Sequence, residues 1–173
     1  MRAVSFKIIG FLCATAPFLA GCIDGTGAGR ESGFKAQYTA ARTALENGKY
    51  DRANRLYPQL MKQAGPLTPR IRLEYAHSLL RAGDHAAAAQ QAGILANSQT
   101  GQARAAALSV QGTALHELGI AALQNGNAPA AKTHLQQAEA AMAEVLKTHP
   151  DLDPLGALAG RLASLRVRLK ALS

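Results

Sequence analysis

Few residues in this chain have the side chains for chemistry. Of its two cysteines, Cys13 lies inside an apolar run, and Cys22 follows that run directly behind Leu19-Ala20-Gly21. There are five histidines: His77, His85, His116, His134 and His149. His116-Glu117 opens as a zinc-protease helix does, but a His-Glu-x-x-His site needs a second imidazole at position 120, and Ile120 stands there. The 11 Asp and Glu residues are scattered, so no metal-ligand cluster emerges. Ser78, Ser98 and Ser109 sit in no nucleophile-elbow pattern. Gly25-x-Gly27-x-Gly29 has no strand before it, and a dinucleotide loop requires one. The expectation is no catalytic residue, no metal and no cofactor: a binding protein, not an enzyme.

The start of the chain accounts for Cys22. Met1 to Lys7 carries Arg2 and Lys7 and no acid, and Ile8 to Ala20 is almost wholly apolar, with Pro17 late in the run. A basic start, a short apolar core and small residues form the layout of an export signal. The apolar run is about 13 residues, short of the roughly 20 a spanning helix needs. Leu19-Ala20-Gly21-Cys22 resembles the bacterial lipobox at all four positions. That resemblance implies signal-peptidase recognition through Leu19, Ala20 and Gly21, cleavage before Cys22, diacylglycerol on its thiol and acylation of the new amino terminus. Acyl chains enter a bilayer with about 0.8 kcal/mol per buried methylene, so three would anchor the chain durably. Ile23 follows the cysteine, where aspartate in enteric bacteria resembles an inner-membrane retention signal. The expected place is the bacterial cell envelope, lipid-anchored at the outer membrane and facing the periplasm.

Lys and Arg total 19 against 11 acids, and two of the cations, Arg2 and Lys7, precede Cys22, leaving +6 after it. That charge alone does not argue for nucleic acid, which is not expected as a partner of an exported chain. With residues 1–21 as signal peptide, the remainder has one domain's length. Trp is absent and aromatic residues are 5%. Ala and Leu dominate, and both favour helix. Residues 22–33, with glycines at 25, 27, 29 and 33, are expected to form a flexible tether.

Three segments then align without gaps: Leu45 to Ala53, Leu80 to Ala88 and Leu123 to Ala131. Each has Leu three before a glycine and Ala five after it. The glycines, Gly48, Gly83 and Gly126, are 35 and 43 residues apart. Each fits the C′ position, where left-handed backbone ends a helix. Asp51, Asp84 and Asn127 offer acceptors to the helix that follows, and Pro129 suits a first turn. The spacing predicts helices over 34–47, 50–64, 68–82, 85–97, 101–124, 128–148 and 154–171.

This pattern resembles the tetratricopeptide repeat, a 34-residue helical hairpin. The third unit carries the most matches: Leu115 at the Trp position, Leu118-Gly119 at Leu-Gly, Ala122 at Tyr, and Ala131-x3-Leu135 at Ala-x3-Phe. Ala53-x3-Tyr57 matches in the first unit, and Tyr75-Ala76 with Leu79 and Ala88-x3-Ala92 in the second. Ala53, Ala76, Ala88, Gly119 and Ala131 are expected at close helix contacts, with Tyr57, Leu79, Leu115, Leu118 and Leu135 filling between hairpins. The fold class expected is all-α, a right-handed TPR-like solenoid of about three hairpins over 34–150. A capping helix over 151–173 would cover its end with the stripe Leu158, Leu162, Leu165, Leu169 and Leu172.

In such stacks the first helix of each hairpin lines the concave face. Registering the matches places Lys35, Tyr38, Arg42, Leu45, Arg70, Leu73, His77, Arg81, His116, Ile120 and Leu123 toward it. Four cations among these favour an acidic peptide or carboxylate terminus. The carboxylate-clamp pattern of chaperone-binding members is not reproduced, because Glu74 and Glu117 stand at its polar or basic positions. Arg161, Arg166, Arg168 and Lys170 make the last helix basic, as a solvated face or as a contact for anionic headgroups or cell-wall polymer. The partners expected are a protein or peptide in the envelope, and the membrane through acylated Cys22. The architecture resembles lipoprotein assembly factors of pili and secretion systems, the tight-adherence pilus foremost, and also the lipoprotein subunit of the outer-membrane barrel-assembly machine. An accessory factor of cell-wall or outer-membrane-protein assembly, a cell-wall enzyme or its activator, and a passive spacer are the rival readings.

Overall fold

Alanine and leucine at helical spacing, broken only at glycine turns, leave the chain one way to bury its apolar side: helix against helix. The structure, a computed structural model, describes residues 26–172. Along them run α1 (Thr26–Glu46), α2 (Tyr50–Met61), α3 (Thr68–Arg81), α4 (His85–Ser98), α5 (Gly101–Gln124), α6 (Ala128–Thr148) and α7 (Ala157–Ala171), with single 3-10 turns at Gly65–Leu67 and Pro150–Leu152. Three hairpins, α1–α2, α3–α4 and α5–α6, stack in chain order. The joins are α2 on α3, α4 on α5 and α6 on α7, and α3 also touches α5. The fold is an all-α, TPR-like helical-hairpin solenoid closed by α7.

The hairpin turns are built as their glycines predict. Gly48, Gly83 and Gly126 have φ of 70°, 83° and 73°. At the first, the Lys49 N–H donates to the Ala44 carbonyl at 2.8 Å and the Gly48 N–H to Leu45 at 3.1 Å. The same pair of bonds recurs from Asp84 and Gly83, and from Asn127 and Gly126. Each is a Schellman closure, which satisfies two carbonyls the helix end leaves open. Asp84 and Asn127 then accept from the N–H groups of Ala87 and Ala130, both at 3.1 Å. Asp51 does not cap: Lys49 holds the N-cap position of α2 without a side-chain bond, and Asp51 lies in the first turn. There its charge favours the positive end of the helix instead.

Small residues bring the helices together. Ala53, Ala76, Ala88 and Ala131 are wholly buried, and so are Tyr57 and Leu135. Gly119 is the tightest point: a Cβ there would lie 2.6 Å from two atoms of Leu135. Leu162 and Leu165 of α7 are buried with Leu115, Leu135 and Met142, and Leu158, Leu169 and Leu172 pack alongside them. The C-terminal leucine stripe therefore covers the third hairpin.

Two boundaries differ from expectation. The span expected as a tether, 22–33, is helical from Thr26 onward. Each glycine within this stretch disfavours helix by roughly 1 kcal/mol against alanine. Helix α7 begins at Ala157 rather than 154, because the Asp153 carboxylate accepts from the N–H groups of Leu158 and Ala159, both at 2.9 Å. Gly156, at φ 71°, makes the turn into the helix. Cys22, Leu19, Ala20 and Gly21 lie outside the described residues.

Candidate functional site

One wall of the stack is lined by α1, α3, α5 and α7, and it holds connected hollows. A cleft of about 310 Å³ lies between α1 and α3, with Arg42, Leu45, Glu74, His77 and Arg81 around it. A second, of about 380 Å³, is floored by Leu80, Val110 and Leu158 and edged by Ser109, Thr113 and Arg161. His77 borders both. A smaller hollow of about 100 Å³ adjoins Tyr38 and Arg70. The structure thus brings Tyr38, Arg42, Leu45, Arg70, His77 and Arg81 to one face, as the register predicts, and Lys35 is exposed on α1.

The rest of the expected groove is placed differently. Leu73 packs into the core between hairpins, and Leu123 packs with the cluster under α7. His116 is buried, with 9% of its surface exposed. Ile120 is half-buried. The cause is α7, which crosses this end of α5 and takes its apolar side. The open part of α5 is instead the turn-by-turn row Ala106, Ser109 and Thr113. The nine residues by which the third glycine spacing exceeds the repeat length carry that signal, since they lengthen α5 at its beginning.

Electrostatics revise the expected excess of positive charge. Glu74, half-buried on α3, accepts from Tyr38 Oη at 2.9 Å, Arg42 Nη1 at 3.4 Å, Arg70 Nε at 3.5 Å and Tyr57 Oη at 3.4 Å. Arg42 also donates Nε to Glu46 at 2.8 Å. Arg42 and Arg70 are therefore largely spent within the protein. That leaves Arg81, which makes no ion pair among the described residues and stacks on the Tyr50 ring at 5.7 Å. Burial, reinforced by the Glu74 carboxylate, pushes the Tyr57 phenol well above its ordinary value. The bond to Glu46 does most to hold the Arg42 guanidinium charged. His77 is exposed at the rim of the two clefts, and partial loss of hydration there, with Arg81 one turn away, holds its imidazole below the ordinary histidine value.

At the far end Arg161 of α7 donates to Glu117 Oε1 and, at 2.9 Å, to His116 Nδ1. A guanidinium only donates, so Nδ1 must carry the lone pair and Nε2 the proton. Burial lowers the basicity of His116, and Arg161 lowers it further. Burial alone would raise the Glu117 carboxyl, but Arg161 outweighs it and holds Glu117 below its usual range.

Among the described residues no three His, Cys, Asp or Glu side chains gather as a metal site would need. What the face offers is an apolar floor, two hydroxyls and one free guanidinium, which is the equipment for holding a polypeptide segment. A family model described as tetratricopeptide repeat matches residues 38–100. The match spans the first two hairpins, not the third, where the motif positions are densest. Helices α5 and α6, at 24 and 21 residues, exceed the 14 and 14 of α3 and α4, and this length breaks the repeat spacing. No curated protein and no solved structure matches the chain.

Proposed function

We propose that this protein is a lipid-anchored adaptor of the bacterial envelope. In this reading its inner face holds a segment of a partner protein during assembly of a surface machine, a pilus or secretion system and most specifically one of the tight-adherence pilus type. The tetratricopeptide match supports protein–protein interaction. The lipobox-like Leu19-Ala20-Gly21-Cys22 supports the anchor and an outer-membrane position facing the periplasm. The observation that carries the binding reading is the pairing of free Arg81 with the Leu80–Val110–Leu158 floor next to it. An extended or helical segment with an apolar side chain one turn from a carboxylate complements both.

Crosslinking in intact cells followed by mass spectrometry tests this. Arg81→Glu combined with Ala106→Phe, which fills the larger cleft, is expected to abolish crosslinks to the partner while leaving the helical circular dichroism unchanged. Crosslinks of undiminished yield would refute the inner face as the site. For the anchor, the mature protein is expected to begin at an acylated Cys22 by mass spectrometry, and Cys22→Ser to abolish both the cleavage there and the added acyl mass; an unmodified thiol or a mature N-terminus elsewhere would refute it.

A further inference from the structure

Charge is unevenly distributed along the stack. In the first hairpin, from Lys35 to Lys62, six cations, Lys35, Arg42, Lys49, Arg52, Arg55 and Lys62, stand against Glu46 and Asp51. In the third, Arg104, Lys132 and Lys147 are balanced by Glu117, Glu139 and Glu144. The glutamates from Glu46 onward are committed: Glu46 to Arg42, Glu74 to Arg42 and Arg70, Glu117 to Arg161, Glu139 to Arg166 and Glu144 to Arg104. None of these pairs reaches Lys49, Arg52, Arg55 or Lys62; the acid that α2 itself carries, Asp51, is exposed beside the first three, so this side sets four cations against one carboxylate. The last helix, expected to be a basic surface, has Arg161 and Arg166 neutralised in this way.

Those four cations cluster along one helix. Helix α2 buries Ala53, Tyr57 and Leu60. Arg52, Arg55, Gln59 and Lys62 recur at three-, four- and three-residue steps on its opposite side, and all four are exposed. At about 1.5 Å per residue the row is about 15 Å long. A shallow hollow of about 280 Å³ continues it onto the open end of the stack, where Lys49 and Arg52 face Thr39, Ala40 and Thr43 of α1 without an acid among them. This surface lies on the back of the first hairpin, away from the clefts lined by α1, α3, α5 and α7. Cys22 is only four residues before α1, a reach of about 14 Å at full extension.

We propose that the outer face of α2, with Lys49, Arg52, Arg55 and Lys62, rests on an anionic lipid surface and so turns the inner face away from the membrane. The proposal rests on the reading of an envelope protein anchored at Cys22, and it is tested without the anchor. A polybasic surface gains roughly 1 kcal/mol per cation from an anionic leaflet, and the attraction dies away within a Debye length. A single lipid attachment fixes where the protein is but not how it is turned; a charged face supplies the orientation.

The test uses the full chain carrying Cys22→Ser and sedimentation with vesicles of phosphatidylglycerol and phosphatidylcholine, or of phosphatidylcholine alone. The apolar run near the N-terminus is common to all variants, so the readout is partitioning relative to this parent. The expected result is binding that strengthens with phosphatidylglycerol and weakens with salt. Arg52→Gln, Arg55→Gln and Lys62→Gln together should reduce the partition coefficient on anionic vesicles by about 100-fold. Lys132→Gln, Lys147→Gln and Arg168→Gln remove the same net charge elsewhere and should leave it within a few-fold. Equal losses in the two triple variants would overturn the proposal, since net charge alone would then be the cause. So would a first triple variant that binds as its parent does, or retention of a DNA duplex by this face with no preference for anionic vesicles. The mass of the mature N-terminus reports on acylation separately, so a failure of the anchor and a failure of this face are told apart.

Discussion

Replacing Gly119 with alanine separates two effects of opposite sign. In an exposed helix interior the change stabilises by about 1 kcal/mol, because glycine is the poorer helix former. At this position the new methyl would sit 2.6 Å from both Cγ and Cδ2 of Leu135. Leu135 is fully buried and shares its cluster with Met142 and Leu162, so it cannot swing aside without moving them. Overpacking of a filled core costs about 1 to 3 kcal/mol, and a contact this short on an immobile neighbour belongs in the upper part of that range. The net expectation is a loss of about 1 to 2 kcal/mol. Gly160→Ala is the control: it also lies within a helix, and a Cβ there meets nothing within 4 Å. It should gain up to about 1 kcal/mol. Urea unfolding followed at 222 nm reads both, and thermal midpoints should shift by about 2–4 °C per kcal/mol in opposite directions. A Gly119→Ala protein as stable as Gly160→Ala would refute the account of α5–α6 packing.

Two further outcomes concern caps and protons. Asp84→Ala and Asn127→Ala each remove a side-chain acceptor at a helix start and should each lower stability by about 1 kcal/mol in urea titrations. Additive losses are expected, since the two turns share no partner. His116 accepts from Arg161 only when neutral, and its folded-state pKa lies below the ordinary value of 6.5. The unfolded chain therefore takes up this proton first as pH falls, so the stability it supports is present above the ordinary histidine range and lost on acidification below it. Urea midpoints at pH 7.5 and 5.5 should diverge in the native protein. The gap should narrow in His116→Asn, whose amide oxygen stands in for Nδ1 at either pH.

Much of the fold is legible in the residues because its turns depend on backbone chemistry that only a few side chains permit. Gly48, Gly83 and Gly126 mark the hairpin tips through the left-handed region, and alanines at fixed offsets mark where helices must approach. The inner face was half legible. Periodicity places Tyr38, Arg42, His77 and Arg81 on one side of their helices, and that much is local geometry. It does not show that Glu74 lies within reach of four donors from three helices, because the pairing depends on how far α1 and α2 stand from α3. Nor does it show that α7 lies over His116 and Leu123. The leucine stripe says that α7 covers something, while the choice of surface is made by Arg161 finding His116 and Glu117. Asp153 reads as an ordinary loop acid until the chain turns back at Gly156 to present two amides to it.

The joins of this stack link each helix almost entirely to the one before and the one after. Among the described residues, no helix needs a distant stretch of chain to arrive before it can form, so the entropy of closing long loops hardly enters their assembly. Injury to such an architecture stays where it occurs. Loss of α7 would lay bare the end of the third hairpin and leave Tyr57, in the first hairpin, and Ile71, which packs against it, as they were.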